Sequence, residues 1–286
     1  MLKEGAMEQS MHHEGEAKLG RNVEIRASFM RHAPKADVKE PGAGATLSEA
    51  GREAARQVGR RFESKRHGIK AYTSPVDRAM ETADLILGEQ KKKEIKIFKS
   101  RKRTELGIVP GSKDFYTKFK ELTKQNLPEN FDELSAEEKE EAVFAAEDKA
   151  LDWWFELGDK KFDKDTATAR EVGASVALLV DKYIRMTDFM NSGSSVDLLN
   201  VSHKGTLEPF LKQVLLRQVE DESGKIKTVR GFDKLEEIGG GMKTVESWDL
   251  LVKTDEHGNK NVKVGLRGNE YDIDMEKMKE LADSSS

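Results

Sequence analysis

The chain has 286 residues, of which 36% are hydrophobic and 36% are charged, a composition typical of a globular protein with a strongly charged surface. Its 49 basic and 53 acidic residues leave a net charge of −4, which argues against a general nucleic-acid-binding protein. The absence of cysteine excludes a disulfide framework, a thiolate nucleophile and a thiolate metal site.

The first 20 residues are polar and show no periodicity, so we expect a flexible tail over residues 1–20. No apolar run there resembles a signal peptide, and no stretch of the chain reaches the roughly 18 apolar residues of a membrane span. We therefore expect a cytoplasmic protein without a membrane partner. Residues 21–286 are enough for one domain with a large core.

Apolar and polar residues alternate over residues 23–30, a pattern that predicts a strand ending at His32. A loop with two prolines separates this strand from a helix with an apolar stripe. Thr46 and Glu49 have the spacing of a capping box at the start of that helix, and Ser48 is a rival N-cap. The first strand thus ends on a histidine at the start of a loop.

A second strand is predicted over residues 69–73, and Ser74-Pro75 then has the pattern of an N-cap followed by a first helical turn. A third strand is expected near residues 95–98, before Glu105. Residues 108–165 are rich in Lys and Glu and mostly helical in pattern. We interpret residues 108–165 as a helical insertion that covers the core.

The C-terminal part of the chain returns to a strand-and-helix pattern. A long helix near residues 172–184 precedes the clearest buried strand, residues 196–201, which ends at His203. Thr206 is placed to cap a helix that extends to Leu215. Two further apolar runs flank residues 255–259, a hairpin signal.

Alternating strands and helices predict an α/β three-layer sandwich with a mostly parallel central sheet. In such folds the carboxyl ends of the strands share one edge, where chemistry collects. His32, Ser74 and His203 each follow a predicted strand, and Arg78 lies in the first turn of the next helix. The pattern therefore brings these four side chains to one edge.

A cationic pocket would form from the imidazoles of His32 and His203 and the guanidiniums of Arg31 and Arg78, in an otherwise acidic protein. A guanidinium pairs with phosphate oxygens through two parallel hydrogen bonds, so a phosphoryl group is the natural ligand. A neutral histidine can carry a covalent intermediate, and arginines near His32 should keep it neutral. Glu105, just after a predicted strand, is the best-placed proton donor for a leaving oxygen. Glu81 is a rival acid.

These motifs resemble, in order and spacing, those of the histidine phosphatase (phosphoglycerate mutase-like) superfamily. The resemblance covers residues 23–107 and 168–215 well. The segments that carry it are Arg31-His32, the helix start at 47–51, the arginine motif at 74–83, Glu105-Leu106-Gly107 and the second histidine motif at 200–205.

The resemblance implies that His32 forms a phosphohistidine while Arg31, Arg78 and His203 hold the phosphoryl group. It implies that Glu105 protonates the leaving group and then activates water. It also implies a reaction that needs no metal and no cofactor. Two residues and one segment depart from the family pattern, namely Ala33, Lys204 and the residues that follow Pro34. Ala33 stands where glycine is usual.

Lys204 also replaces a common glycine; it either adds positive charge to the substrate-binding pocket or points to solvent. Arg66-His67-Gly68 matches the family triplet more literally than residues 31–33, but it precedes a strand instead of ending one. We therefore interpret His67 as a surface-loop residue.

The favoured function is a phosphomonoester hydrolase that acts through a phosphohistidine. A phosphoglycerate-type mutase is the first alternative, although the segment after Pro34 lacks the Glu and Asn pattern of those mutases. A non-catalytic protein that binds phosphorylated ligands is the second. The expected partner is a small phosphorylated substrate, with a phosphoprotein as the alternative, and the sequence leaves the oligomeric state open.

Overall fold

The structure is a computed structural model that describes residues 19–36, 46–64 and 66–285. Apart from Leu19 and Gly20, the predicted tail lies outside the described residues. The strands are β1 (Glu24–Arg31), β2 (Ile69–Thr73), β3 (Ile97–Lys102), β4 (Ser195–Ser202), β5 (Leu215–Glu220), β6 (Ile226–Arg230), β7 (Ser247–Thr254), β8 (Lys260–Leu266) and β9 (Asn269–Ile273). The α-helices are α1 (Glu49–Arg61), α2 (Asp77–Lys92), α3 (Lys113–Gln125), α4 (Ala136–Glu156), α5 (Ala169–Met186), α6 (Glu208–Val214) and α7 (Met275–Ser284).

The described strands form one nine-stranded sheet in the order β3-β2-β4-β1-β7-β8-β9-β5-β6. Strands β3, β2, β4 and β1 pair in parallel. The pairings β1–β7, β7–β8, β8–β9, β9–β5 and β5–β6 are antiparallel. The predicted α/β class is confirmed, but the sheet is mixed and not mostly parallel. The reason is local: β5–β6 and β7–β8–β9 are joined by short turns, which connect only antiparallel neighbours.

Two hydrophobic cores on opposite faces of the sheet make the three layers. Successive residues of β4 alternate between them: Leu198 packs with α5, α6 and α7, whereas Leu199 packs with α1 and α2. Both leucines are almost fully buried. This period-two burial fixes the register of β4, because a slip by one residue would exchange the two faces.

Two helices begin differently from the sequence prediction. Ser48, and not Thr46, caps α1 by accepting a hydrogen bond from the Gly51 amide at 2.9 Å. Helix α2 begins at Asp77 with Val76 as its N-cap residue, so Ser74 was the wrong N-cap. The Ser74 hydroxyl instead lies against a histidine of the candidate site described below.

The second histidine motif also ends differently from the prediction. Helix α6 has Leu207 as its N-cap residue, while the Thr206 hydroxyl donates to the carbonyl oxygen of Gly107 at 2.8 Å. The helix stops at Val214, and Leu215 begins β5. A short apolar run fits a helix and a strand equally well, and the pairing of Leu215 with Ile273 of β9 selects the strand here.

The predicted insertion contains α3 and α4, which pack against each other through aromatic rings. The ring of Phe115 lies 6.1 Å from that of Trp153 and 6.0 Å from that of Trp154. Trp154 is buried and its Nε1 donates to the carbonyl oxygen of Ala167 at 3.2 Å. Ser135 and Glu138 form a capping box at the start of α4. Among the described residues, no helix combines the length and apolar character needed to cross a bilayer.

A buried carboxylate ties the amino ends of the parallel strands together. Asp197 of β4 is inaccessible to solvent and accepts hydrogen bonds from Arg26 Nε at 2.8 Å and Ser64 Oγ at 2.6 Å. Arg66 Nη1 is a third donor at 3.3 Å. One carboxylate thus joins β1, β4 and the loop before β2, far along the strands from their carboxyl ends.

We predict that Asp197→Ala lowers the free energy of unfolding by about 3 kcal/mol, because it leaves the largely buried guanidinium of Arg26 without its anion and removes the buried partner of Arg66. Urea unfolding followed by circular dichroism measures this loss. Glu24→Ala is the matched control: Glu24 pairs with Arg66 at 3.6 Å but is exposed, so its loss should cost less than about 1 kcal/mol. Equal losses in the two variants would contradict the structural role given to Asp197.

Candidate active site

His32 follows the last residue of β1 and is held in one tautomer. Its Nδ1 lies 2.7 Å from the carbonyl oxygen of Ala33, and a carbonyl only accepts, so Nδ1 carries the proton. The other ring nitrogen, Nε2, accepts a hydrogen bond from Arg78 Nε at 2.9 Å. The lone pair of Nε2 therefore faces Arg78, and Nε2 is the atom available to act as a nucleophile.

Arg78, the second residue of α2, also contacts the second histidine. Its Nη2 lies 3.3 Å from His203 Nδ1, and since a guanidinium only donates, Nδ1 accepts. His203 Nε2 then carries the proton and donates to Ser74 Oγ at 2.8 Å. The two imidazole rings meet edge to face with their centroids 5.1 Å apart. The sequence thus correctly predicted that these side chains converge.

Both histidines are buried and uncharged. Burial is the largest cause that lowers the pKa of His32 from 6.5 to about 3; the charges of Arg78, Arg31 and Lys35 lower it further, against a raising hydrogen bond to Ala33. Burial and then the neighbouring His32, Arg78 and Arg31 lower the pKa of His203 to about 2. The sequence attributed the neutral state of His32 to arginines, but burial contributes more.

Arg31 completes the cationic side of the site. Its Nη1 donates to the carbonyl oxygen of Met242 at 3.0 Å, and its guanidinium lies 5.9 Å from the ring centroid of Phe144. Its Nε is buried and has no hydrogen-bond partner among the described residues. A buried N–H donor without a partner costs free energy, and an anion bound here would remove that cost.

Other residues of the sequence motifs hold the loop after β1. A Cβ atom on Gly51 would lie 2.0 Å from the carbonyl oxygen of Pro34, so only glycine allows α1 to approach this loop. Thr82 Oγ1 accepts from the Ala33 amide at 3.0 Å. Glu81, the rival acid, accepts from Arg52 Nε at 2.6 Å and holds the loop before α1. The Glu81 carboxylate therefore has a structural role in holding this loop.

These side chains open into a cleft of about 480 Å³ between the sheet edge and the insertion. Five of the six predicted site residues line it, namely Arg31, His32, Arg78, His203 and Lys204. Glu105 does not line the cleft. It lies on a single helical turn, Thr104–Leu106, with its Oε1 3.4 Å from Lys182 Nζ of α5.

The carboxylate that does line the cleft is Glu147 of α4, which the sequence analysis missed. Its Oε2 lies 3.2 Å from Lys204 Nζ, and Asp148 Oδ1 lies 2.8 Å from the same nitrogen. Lys204 therefore neither points to solvent nor adds a free charge. Its ammonium group lies 3.5 Å from the centroid of Phe144, paired with the insertion. No motif marks Glu147, because its position depends on how α4 packs.

The far wall of the cleft comes from the insertion and was also missed. Helix α3 contributes Tyr116, Phe119, Lys120, Thr123 and Lys124. The one sequence signal for this wall is the spacing of four residues between the two lysines, which places them on one helix face.

His67 lies away from the cleft, as expected. It is exposed at the start of β2, and its Nδ1 accepts a hydrogen bond from the Ser195 amide at 3.1 Å. Ser195 begins β4, so His67 lies at the end of the sheet opposite His203. Across residues 19–36, 46–64 and 66–285, no group of three or more His, Asp or Glu side chains is placed to hold a metal ion.

Solved structures with a similar arrangement share little sequence with this chain. "Mycobacterial hydrolase 2" is 15% identical with a TM-score of 0.48, covering 92% of this chain and 98% of that one. A putative alpha-ribazole-5'-P phosphatase from Escherichia coli is 12% identical with a TM-score of 0.45, covering 85% and 98%. A phosphoserine phosphatase from Entamoeba histolytica is 15% identical with a TM-score of 0.39, covering 66% and 77%. A comparison with curated proteins found no match.

A family model matches the part of the chain that contains β1 to β3 and the start of α3. The matched residues are 28–114, and the model describes the histidine phosphatase superfamily, branch 1. This stretch includes His32 and Arg78, which are joined by a hydrogen bond of 2.9 Å. The resemblance to the histidine phosphatase superfamily that the motifs predicted is therefore confirmed over residues 28–114.

Proposed function

We propose that the chain is a phosphomonoester hydrolase that forms a phosphohistidine on Nε2 of His32. The observation that carries this proposal is the state of that atom: it is unprotonated, belongs to a residue that lines the cleft and contacts a guanidinium. A neutral imidazole next to fixed cationic donors is suited to attack a phosphoryl group. Water is the proposed acceptor, as the sequence favours.

In the first step, Nε2 attacks phosphorus and the bond from phosphorus to the ester oxygen breaks. The alcohol leaves with that electron pair and takes up a proton from solvent water. Arg31 and Arg78 offer donors for the phosphoryl oxygens, whose charge these guanidiniums offset. The hydrogen bond from Nδ1 to Ala33 stabilises the positive charge that the ring gains as the N–P bond forms.

In the second step, water attacks phosphorus, the N–P bond breaks and Nε2 recovers its electron pair. The attacking water must lose a proton. We assign this proton to Glu147, because it lines the cleft as a carboxylate paired with Lys204. Glu105 stays a prediction from the family resemblance, and its ion pair with Lys182 favours a structural role.

His32→Ala should abolish hydrolysis of 4-nitrophenyl phosphate, with chelator present throughout, because it removes the proposed nucleophile. Native protein should turn over under the same conditions and should give a 32P-labelled histidine when quenched with alkali. His67→Ala, which changes an exposed histidine at the other end of the sheet, is the matched control and should keep native activity. A fully active His32→Ala protein, or native activity that chelator abolishes, would overturn the mechanism.

Glu147→Gln should slow hydrolysis of the phosphohistidine by about 10²-fold or more, because water then lacks its proton acceptor. With 4-nitrophenyl phosphate the variant should show a burst of nitrophenolate followed by slow turnover, since the first step has a good leaving group. Glu105→Gln is the comparison and should stay within about threefold of native activity. A large loss in Glu105→Gln together with a native rate in Glu147→Gln would reverse the assignment.

The imidazoles of His32 and His203 should stay neutral from about pH 7.5 to about pH 4.5, because burial holds both pKa values far below 6.5. Nitrogen-15 NMR of the imidazole rings, with His32→Gln and His203→Gln to assign the signals, measures this directly. Unfolded imidazoles take up protons below about pH 6.5 and the folded ones do not, so stability should fall as pH drops from 6.5 towards 3. Titration of either ring near pH 6.5 would contradict the prediction.

A further inference from the structure

The cleft is far more cationic than binding one phosphoryl group requires. Among the described residues, Glu147 is the single carboxylate that lines it, in a chain of net charge −4. The cationic side chains that line it are Arg31, Lys35, Arg78, Lys120, Lys124 and Lys204. A phosphate monoester carries a charge of about −1.5 to −2 at neutral pH, which two guanidiniums balance.

The remaining lysines differ in how their charges are offset. Lys204 is paired with Glu147 and Asp148 of α4. Lys120 and Lys124 on α3 have no ion pair with any carboxylate in the described part of the chain, and both are exposed. Lys118 on the same helix does pair, with Glu121 at 3.8 Å. Two unpaired ammonium groups at one wall of a cleft are free to bind an anion.

The insertion also gives the cleft an apolar wall. Phe119 lies on α3 next to Lys120, and Leu127 follows the end of the helix; both line the cleft and are half-buried. Val143 and Leu151 of α4 line it too. The cleft therefore combines the histidines of the sheet edge with apolar side chains and two lysines of the insertion, a combination that selects for the shape and charge of a ligand.

We propose that Lys120 and Lys124 form a subsite for a second anionic group of the substrate, remote from its phosphoryl group. The substrate class is a phosphomonoester whose largely apolar body ends in a carboxylate or phosphate. The phosphoryl end of this assignment rests on the proposed function; the distal end rests on the unpaired lysines and the apolar wall. The cleft volume of about 480 Å³ is large enough for a ligand with both ends.

Binding of phosphonates tests the subsite without turnover, because their carbon–phosphorus bond is not hydrolysed. We would compare ω-carboxyalkyl phosphonates of increasing chain length with alkyl phosphonates of the same length by titration calorimetry. At the chain length that spans the cleft, the carboxylate should tighten binding about tenfold, the effect of a charge-assisted contact. Raised ionic strength should weaken that preference, since both lysines are exposed.

Substitution of the two lysines separates the subsite from general electrostatics. Lys120→Gln combined with Lys124→Gln should abolish the preference and leave the Kd of the alkyl phosphonate within about twofold of native. Lys118→Gln, on the same helix but outside the cleft, should keep the preference. Equal Kd values at every chain length, or a preference that survives loss of both lysines, would overturn the subsite.

The phosphate counterparts of the same ligands distinguish the two proposals. If they bind with the carboxylate preference but release no inorganic phosphate, the proposed function fails and the subsite stands. If native protein hydrolyses them with kcat/KM values that do not depend on the distal carboxylate, the subsite fails and the proposed function stands. A carboxylate preference in kcat/KM that the double variant loses supports both.

Discussion

The contact of one guanidinium with two imidazoles sets the chemistry of the site. Arg78 can only donate, so its hydrogen bonds to His32 and His203 require an unprotonated nitrogen on each ring. Those bonds in turn decide which nitrogen of each ring keeps its proton. Arg78 reaches both rings only when the ends of β1 and β4 and the start of α2 are correctly placed. The parallel half of the sheet provides that placement.

In the proposed mechanism, the same contact links substrate binding to release of the nucleophile. The lone pair of His32 Nε2 is bound by Arg78 while the cleft is free of anions. Phosphoryl oxygens are stronger acceptors than an imidazole nitrogen and would compete for the guanidinium donors. An anion that draws Arg78 towards itself thereby frees the lone pair that attacks it. Burial adds to this arrangement, since it keeps both rings neutral without a carboxylate partner.

The parts of the site carried by β1, β2 and β4 could be predicted because they follow simple rules. Period-two burial defines those strands, and polar residues that follow parallel strands must meet at one edge. These rules do not place Glu105, which lies on a separate helical turn next to Lys182 of α5 and stays a prediction. Glu147 could not be predicted from the sequence, because its position in the cleft depends on how α4 packs.

Lys204 shows how the insertion and the sheet edge act as one unit. Asp148 of α4 pairs with Lys204 and also accepts a hydrogen bond from the Gly241 amide at 2.9 Å. The next residue, Met242, accepts from Arg31 through its carbonyl oxygen and donates its amide to the buried Glu208 at 2.8 Å. A displacement of α4 would therefore reach Arg31 through Asp148 and this loop.

The choice of ligand and the position of Arg31 therefore depend on the same helices. The helices that carry the distal lysines and the apolar wall also hold, through Asp148, the loop that positions Arg31. An insertion that packed differently would change both the ligand that fits and the donors offered to its phosphoryl group. The sheet edge alone supplies two neutral imidazoles and their cationic partners. In the proposed function, the packing of α3 and α4 against that edge limits the shape and charge of the phosphoryl ligand.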